Sequence, residues 1–147
     1  MMLVLEGIDG TGKTTLANQL SATYNAGIIH ATRETPNDWD WFSELMDVAR
    51  DRNLIMDRSF WGQFVYQEPE ERKLSWEQLQ ELEHRLAQEG GKLIYVTATD
   101  EDIRTRLGAR AETLSLPLEV LKARYELLVL NADCEVVTYN TSTGEVS

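Results

Sequence analysis

The residues best suited to chemistry form one loop near the start of the chain. Residues 7–14, Gly-Ile-Asp-Gly-Thr-Gly-Lys-Thr, match the pattern G-x-x-x-x-G-K-[ST], with an apolar stretch before them and a helical pattern after them. Glycines let backbone N–H groups curl around phosphate oxygens, and the N-terminus of the following helix adds partial positive charge. The pattern predicts a loop that binds the phosphates of a nucleoside triphosphate; the alternative is a glycine-rich turn without a ligand.

The polar side chains of this loop have predicted roles. Lys13 would bridge the β- and γ-phosphates, and the Thr14 hydroxyl would ligate Mg²⁺. We therefore expect ATP and Mg²⁺ as cofactors. The predicted ATP-binding residues are Gly7, Asp9, Gly10, Thr11, Gly12, Lys13, Thr14 and Thr15.

A second group of candidates follows other apolar stretches. Asp57 and Arg58 come directly after residues 53–56, where a carboxylate can join the Mg²⁺ shell and a guanidinium can grip a phosphate through two parallel bonds. A helix N-cap and a surface pair are the alternative for these two residues. Arg33 lies in the loop after His30 and is predicted to contact an acceptor phosphate; the alternative is an exposed loop arginine. His30 is interpreted as structural, because phosphoryl transfer needs charge stabilisation more than a proton shuttle.

Arginines are concentrated in one later segment. Arg104, Arg106 and Arg110 fall close together in an otherwise acidic chain. A mobile lid would bring their charge to the transferring phosphoryl group and exclude water. The alternative is a solvated helix face paired with Asp100, Glu101 and Asp102. The predicted lid covers about residues 104–116, and the predicted catalytic residues are Lys13, Arg58, Arg106 and Arg110.

The elements that must position these residues alternate along the chain. Strands are predicted for the apolar stretches at residues 2–5, 27–29, 53–56, 92–97 and 135–139, with helical patterns between them. Strands that alternate with helices predict right-handed crossovers and a doubly wound α/β fold, a five-stranded parallel sheet with helices on both faces. In such sheets the ligand crevice lies at the carboxyl ends of the strands, where the candidates fall. We expect a single domain over residues 1–147.

Composition limits the partners that the protein can take. The chain has 14 Lys plus Arg against 25 Asp plus Glu and a formal net charge of −11, which argues against nucleic acid and favours small-molecule nucleotides. The single cysteine, Cys134, excludes an internal disulfide, and no apolar stretch approaches the roughly 20 residues of a membrane span. A cytoplasmic protein is expected. Trp61, Phe64 and the acidic helix after Pro69 are candidates for a homodimer face.

Together, these motifs resemble those of the thymidylate kinases. Residues 5–15 look like the phosphate loop of that family, and residues 31–34, Ala-Thr-Arg-Glu, are similar to its T-R-E-P segment. Residues 57–67 align without gaps on its D-R-[YH]-x-x-S-x-x-A-Y-Q pattern, with departures at Ser59 and Gly62. The arginines at 106 and 110 resemble the R-x-x-x-R lid of this family, a pattern that the deoxynucleoside kinases share.

This resemblance implies how an acceptor nucleotide would be bound. It puts Asp9 near the 3′-hydroxyl and Arg33 and Arg58 at the phosphate. It also puts Gln63 at the base and Tyr66 where a 2′-hydroxyl would clash. These implied contacts predict a deoxynucleoside monophosphate as the acceptor.

The family's long helix that stacks on thymine has no counterpart of sufficient length here. The segment between Glu34 and Asn53 is too short for it. Aromatic and basic residues in this segment are either substitutes for that helix or members of the core; they are Trp39, Trp41, Phe42 and Arg50. The base therefore stays open.

A second resemblance, to the deoxynucleoside kinases, gives a competing acceptor. Residues 34–39 partly match the E-P-x-x-W segment of that family, and residues 57–59 are similar to its E-R-S segment. On this interpretation Glu34 accepts a proton from a sugar 5′-hydroxyl, so Glu34 joins the candidate acceptor-binding residues. That family has no Asp at the position of Asp9, which favours the monophosphate acceptor.

The sequence thus predicts an ATP-dependent nucleotide kinase of thymidylate kinase type, with a part in nucleotide biosynthesis. It would move the γ-phosphoryl group of ATP to a deoxynucleoside monophosphate. The alternatives are a deoxynucleoside kinase, a kinase of a modified base or sugar in nucleic acid, and a nucleotide-binding module without turnover.

Overall fold

The computed structural model describes residues 1–147 and is built around a five-stranded parallel sheet with the order β2-β3-β1-β4-β5. The strands are β1 (Met2–Glu6), β2 (Gly27–His30), β3 (Leu54–Asp57), β4 (Lys92–Thr97) and β5 (Val136–Asn140). The central strand β1 pairs with β3 on one side and β4 on the other, so the chain reverses its direction of winding there. Ligand crevices of open α/β sheets form at such a reversal, at the carboxyl ends of the strands.

Six α-helices and one short 3-10 turn connect the strands. They are α1 (Lys13–Tyr24), α2 (Trp39–Val48), α3 (Gly62–Tyr66), the turn Pro69–Glu71, α4 (Trp76–Gln88), α5 (Asp100–Ala109) and α6 (Leu118–Asn131). Several begin where a polar side chain caps free backbone N–H groups. Asp38 accepts from Trp41 N, Thr99 accepts from Asp102 N, and Ser75 forms a capping box with Gln78. None of the helices has the length and apolar character needed to cross a membrane.

The two faces of the sheet are covered by different helices. In a strand, successive side chains point to opposite faces. On β1, Val4 belongs to the larger apolar core together with residues of α2, α4 and α6, whereas Leu3 and Leu5 pack with Ala17 of α1. The doubly wound α/β fold with helices on both faces is confirmed.

One part of the predicted homodimer face is wrong. Trp61 is fully buried, and its indole Nε1 donates a 2.7 Å hydrogen bond to Oε2 of the buried Glu83. A side chain enclosed in this way has no surface to offer a second copy. Phe64 is only partly buried; its ring forms a T-shaped pair with Trp76, and the Arg72 guanidinium lies over it, 4.7 Å from the ring centroid.

Candidate active site

The loop between β1 and α1 is shaped by glycines where side chains would collide. Gly7 lies at φ +157°, and a Cβ there would overlap the backbone oxygen of Val96 on β4. Gly12, at φ +94°, adopts the left-handed conformation immediately before α1 begins. The chain can therefore turn tightly from the sheet into the helix and present its N–H groups to one point, as phosphate binding requires.

Lys13 is folded back into this loop. Its Nζ donates hydrogen bonds to the carbonyl oxygens of Gly7, at 2.7 Å, and Ile8, at 3.1 Å. Burial lowers the pKa of Lys13 to about 8, against the attraction of Asp57 and Glu6. A charged amine held among carbonyl oxygens is positioned to exchange them for phosphate oxygens.

Asp57 joins the phosphate loop to the neighbouring strands. Its Oδ2 accepts a 3.0 Å hydrogen bond from Thr14 Oγ1 and lies 3.2 Å from His30 Nδ1. The parallel register explains the second contact, because His30 and Asp57 are paired at the ends of β2 and β3.

A hydroxyl and a carboxylate side by side, as in Thr14 and Asp57, are hard oxygen ligands that suit Mg²⁺. No group of three or more His, Cys, Asp and Glu side chains is placed to hold a metal ion. Mg²⁺ would therefore also need ligands from phosphates and water.

A first cavity of about 590 Å³ opens over this loop and collects most of the predicted residues. It lies where β1, β2 and β3 end, as the doubly wound fold requires. The lining contains the predicted catalytic, metal-binding and acceptor residues Asp9, Lys13, Thr14, Arg33, Glu34, Asp57, Arg58 and Arg110. Residues far apart in sequence thus face one space.

Two arginines of this cavity differ in whether their guanidinium groups are paired with another side chain. Arg58 has a positive φ of 68°, an uncommon conformation for a residue other than glycine, and its guanidinium forms an ion pair with Asp9. Arg33 forms neither a salt bridge nor a side-chain hydrogen bond with the rest of the chain. Arg33 is therefore a free cation at the mouth of the cavity, and Arg58 is held in place by the loop that it faces.

Helix α5, which carries two arginines of the predicted lid, contacts the phosphate loop through Arg106. Arg106 Nη1 donates to the Gly10 carbonyl and to Thr141 Oγ1, both at 3.1 Å, and Thr141 Oγ1 donates to the Thr11 carbonyl at 2.6 Å. Thr141 belongs to residues 140–143 at the end of β5, a segment that its place in the sequence favours for contact with adenine, but its bonds to Arg106 and to the phosphate loop were not predicted. Its position just after a strand was the available signal.

The other two arginines near the predicted lid differ in whether they line a cavity. Arg110, at the end of α5, lies 3.7 Å from Glu112 and lines both the first cavity and a second one of about 550 Å³. The second cavity is bounded by Gly12, Arg106 and Thr141, on the α5 side of the loop. Arg104 lines neither of these two cavities.

A third cavity, of about 650 Å³, continues from the first cavity away from the phosphate loop. Asp9, Arg33 and Arg58 line both cavities, and Tyr66 lines the third. Five of the six predicted acceptor residues therefore surround this space, namely Asp9, Arg33, Arg58, Gln63 and Tyr66. Glu34 lines the first cavity only.

Gln63 has a structural part that the sequence did not predict. Its Oε1 accepts from the backbone N–H groups of Lys73 and Leu74 at 2.9 and 3.1 Å, and its Nε2 donates to the Asn37 carbonyl at 2.6 Å. These bonds tie α3 to two loops. A contact of Gln63 with a base stays a prediction, and it depends on the amide hydrogen that these bonds leave over.

Glu6, at the end of β1, is a fully buried carboxyl group of the site. Burial raises its pKa to about 7, while Lys13, the Ser59 N–H and Arg58 act in the opposite direction. Its Oε1 accepts from Ser59 N at 2.7 Å and its Oε2 lies 3.3 Å from the Tyr125 hydroxyl. Glu6 thus fixes the start of the segment that follows Arg58.

The candidates for base stacking lie away from the cavities. Phe42 is buried in the core, and Trp39 and Trp41 pack against the same core. Arg50 bonds to Glu89 through Nε and Nη2 at 3.1 and 2.9 Å, on the α2–α4 side. As a substitute for a thymine-stacking helix this set is wrong, because the apolar face of α2 is needed to cover the sheet.

Comparison with known proteins identifies the fold. No protein-family model and no curated sequence matches the chain. YorR protein from Bacillus subtilis, solved in complex with phosphorylated GDP, is 24% identical with a TM-score of 0.77, over 99% of this chain and 87% of that chain.

Two further solved structures widen the comparison. Deoxyadenosine kinase from M. mycoides with bound dCTP is 16% identical with a TM-score of 0.58, over 95% of this chain and 90% of that chain. Thymidylate kinase from Candida albicans is 17% identical with a TM-score of 0.53, over 96% and 84%. Sugar kinases are also among the matches. The fold is that of the P-loop nucleotide kinases, and the resemblance to thymidylate kinases is confirmed at the level of the fold.

Proposed function

We propose that this protein is a phosphotransferase that moves the γ-phosphoryl group of ATP to a deoxynucleoside monophosphate. The observation that carries the proposal is the continuity of the first and third cavities. They share Asp9, Arg33 and Arg58, so an acceptor in the third cavity would present its phosphate to the phosphate loop. Arg33, which has no partner in the chain, and Arg58, which is paired with Asp9, both lie at this junction. They suit an anionic acceptor, because guanidinium groups bind phosphate through paired hydrogen bonds.

On the donor side, ATP would lie along the phosphate loop toward the second cavity. Thr14 and Asp57 would hold Mg²⁺, which when bound neutralises charge on the β- and γ-phosphates. Lys13 would leave the carbonyl oxygens of Gly7 and Ile8 for phosphate oxygens. The charge of Lys13 is retained below a pH of about 8.

Catalysis on this proposal rests on position and charge. Arg106 and Arg110 would close on the triphosphate from α5, and Arg58 would hold the acceptor phosphate in line with it. Asp9 lies between the donor side and the acceptor side. Its Oδ1 is paired with the Arg58 guanidinium and lies 3.9 Å from Lys13 Nζ. A nucleophilic side chain is not needed, because the acceptor oxygen attacks directly.

A deoxynucleoside kinase is the second candidate, and one observation favours it. Glu34 lines the first cavity beside the phosphate loop, with its Oε2 accepting from Thr32 Oγ1 at 3.3 Å. A carboxylate in that place could take a proton from a 5′-hydroxyl. The molecules named with the solved structures, phosphorylated GDP and dCTP, do not choose between the two candidates.

Arg33 and Glu34 variants test the choice. For a monophosphate kinase, Arg33→Ala should raise the acceptor KM about tenfold or more, because a charge-assisted hydrogen bond contributes about 1.5–3 kcal/mol. Glu34→Gln should change kcat by less than about threefold, since such an acceptor brings no proton to remove. Arg52→Ala, an exposed arginine before β3, is the matched control. A large loss of kcat in Glu34→Gln with little effect of Arg33→Ala would support the nucleoside kinase instead.

A further inference from the structure

Gly62 occupies a position where nothing in the backbone requires glycine. It is the first residue of α3, and it is absent from the residues with positive φ. Glycine at such a position weakens a helix relative to alanine. Gly7 and Gly12, by contrast, adopt conformations that side chains rarely allow.

Packing does not require a glycine at position 62 either. A Cβ added there would meet no atom within 4 Å, whereas a Cβ at Gly91 would collide with Leu86 and Met2. Gly62 lines the third cavity, so the space left open belongs to that cavity. The missing side chain therefore leaves room for a ligand and not for a neighbouring part of the chain.

The same cavity contains buried polar atoms that lack a partner. Three side-chain oxygens, Ser59 Oγ, Tyr66 Oη and Gln67 Oε1, are enclosed and form no hydrogen bond within the protein, and all three residues line the cavity. Ser59 is 6% exposed. Buried polar groups are normally satisfied, so three unpartnered oxygens around one cavity point to a ligand that bonds to them. Gln67 Oε1 can only accept, which calls for an N–H or O–H donor on the ligand.

We infer that the space beside Gly62 holds the base of the acceptor and is shaped for a purine, with Gly62 as the specificity-determining residue. This inference rests on the proposed function. With the acceptor phosphate at Arg33 and Arg58, the base extends toward α3, where the open position 62 and the small Ser59 side chain admit a second ring. An amino group or ring N–H of that purine then bonds to Gln67 Oε1.

Filling the space tests the inference. Wild-type protein, Gly62→Ala and Gly62→Leu are assayed with dAMP, dGMP, dCMP and dTMP. We expect wild-type kcat/KM to be higher for the purines, and Gly62→Leu to lower it by about tenfold or more for purines but less than about twofold for pyrimidines. Gly62→Ala should be intermediate, with a melting temperature equal to or above that of wild type. Ala22→Leu, an exposed position on α1, is the size-matched control.

The outcomes separate this inference from the proposed function. Equal losses for all four acceptors, or a wild-type preference for pyrimidines, would overturn the purine subsite while the monophosphate kinase stands. Turnover of free deoxynucleosides alone would overturn the proposed function, and the same Gly62 series on deoxyadenosine, deoxyguanosine, deoxycytidine and thymidine would then decide the base subsite. Turnover of none of these acceptors would overturn both.

Discussion

Thr14 Oγ1 donates a 3.0 Å hydrogen bond to Asp57 Oδ2, which joins the start of α1 to the end of β3. The two residues are 43 positions apart in the chain and meet because β3 lies beside β1 in the sheet. The carboxylate is buried, at 4% exposure, so its position is fixed before any ligand arrives. On the proposed function, this pair would supply oxygen ligands for the Mg²⁺ on which phosphoryl transfer depends.

Replacing Asp57 tests the metal site. Asp57→Asn keeps the size of the side chain and removes its charge, so we expect kcat to fall by about 10²–10³-fold and the Mg²⁺ concentration for half-maximal rate to rise. Initial rates over a Mg²⁺ titration measure both, and chelation of Mg²⁺ should abolish turnover of the wild-type protein. Asp51→Asn, an exposed carboxylate, is the control. Rates within about twofold of wild type at every Mg²⁺ concentration would exclude Asp57 from this role.

His30 is predicted to position Asp57 through its Nδ1, which lies 3.2 Å from Asp57 Oδ2. The Asn amide nitrogen takes the place of Nδ1, whereas the Gln amide takes the place of Nε2. His30→Asn should therefore keep kcat within about threefold, and His30→Gln should lower it by up to about tenfold, the value of one hydrogen bond. Steady-state kinetics with saturating ATP and Mg²⁺ measure the difference. Wild-type activity in both variants, or a larger loss in His30→Asn than in His30→Gln, would contradict this role of Nδ1.

Arg106 and Arg104 share one helix but differ in contact. Arg106 bonds to the phosphate loop and to Thr141, while Arg104 lines none of the described cavities. Arg106→Ala should lower kcat/KM for ATP by about 10²-fold or more, because it removes charge from the transferring group. Arg104→Ala should stay near wild type. Equal losses in both variants would mean that the helix acts through its net charge and not through a placed guanidinium.

The raised pKa of Glu6 predicts how the free energy of unfolding depends on pH. Its pKa is about 7 in the folded protein and 4.5 when exposed, so the folded state holds the extra proton between these values. The contribution of Glu6 to the free energy of unfolding should therefore be highest below pH 4.5 and fall as the pH rises toward 7. Urea unfolding at a series of pH values measures this slope. Glu6→Gln should remove it and Glu44→Gln, an exposed position on α2, should keep it; an unchanged slope in Glu6→Gln would contradict the assignment.

The sequence was sufficient for the strands and for the residues directly attached to them. Apolar stretches predicted all five strands: β4 is exact, β1 and β2 extend one residue further at the carboxyl end, and β3 and β5 are shifted by one residue at both ends. The first cavity gathers Lys13, Thr14, Asp57 and Arg58 because a parallel sheet brings its carboxyl ends to one edge. Local pattern and topology together fix these positions.

Contacts between distant loops could not be predicted. The three backbone partners of Gln63 come from segments without regular structure of their own, and Thr141 reaches Thr11 across 130 positions. The aromatic residues of α2 were ambiguous for another reason. The spacing of Trp39, Trp41 and Phe42 fits a ligand-binding face as well as a face that packs on the core. Only the packed structure shows that Phe42 is buried in the core and that Trp39 and Trp41 pack against it.

The most direct test of the central proposal is to identify the product of phosphoryl transfer by mass. The protein is incubated with ATP and Mg²⁺ and with each deoxynucleoside monophosphate or free deoxynucleoside in turn. We predict ADP together with a deoxynucleoside diphosphate from at least one monophosphate, and no product from the free nucleosides. A monophosphate formed from a free nucleoside, or ADP release that no acceptor changes, would contradict the proposed function.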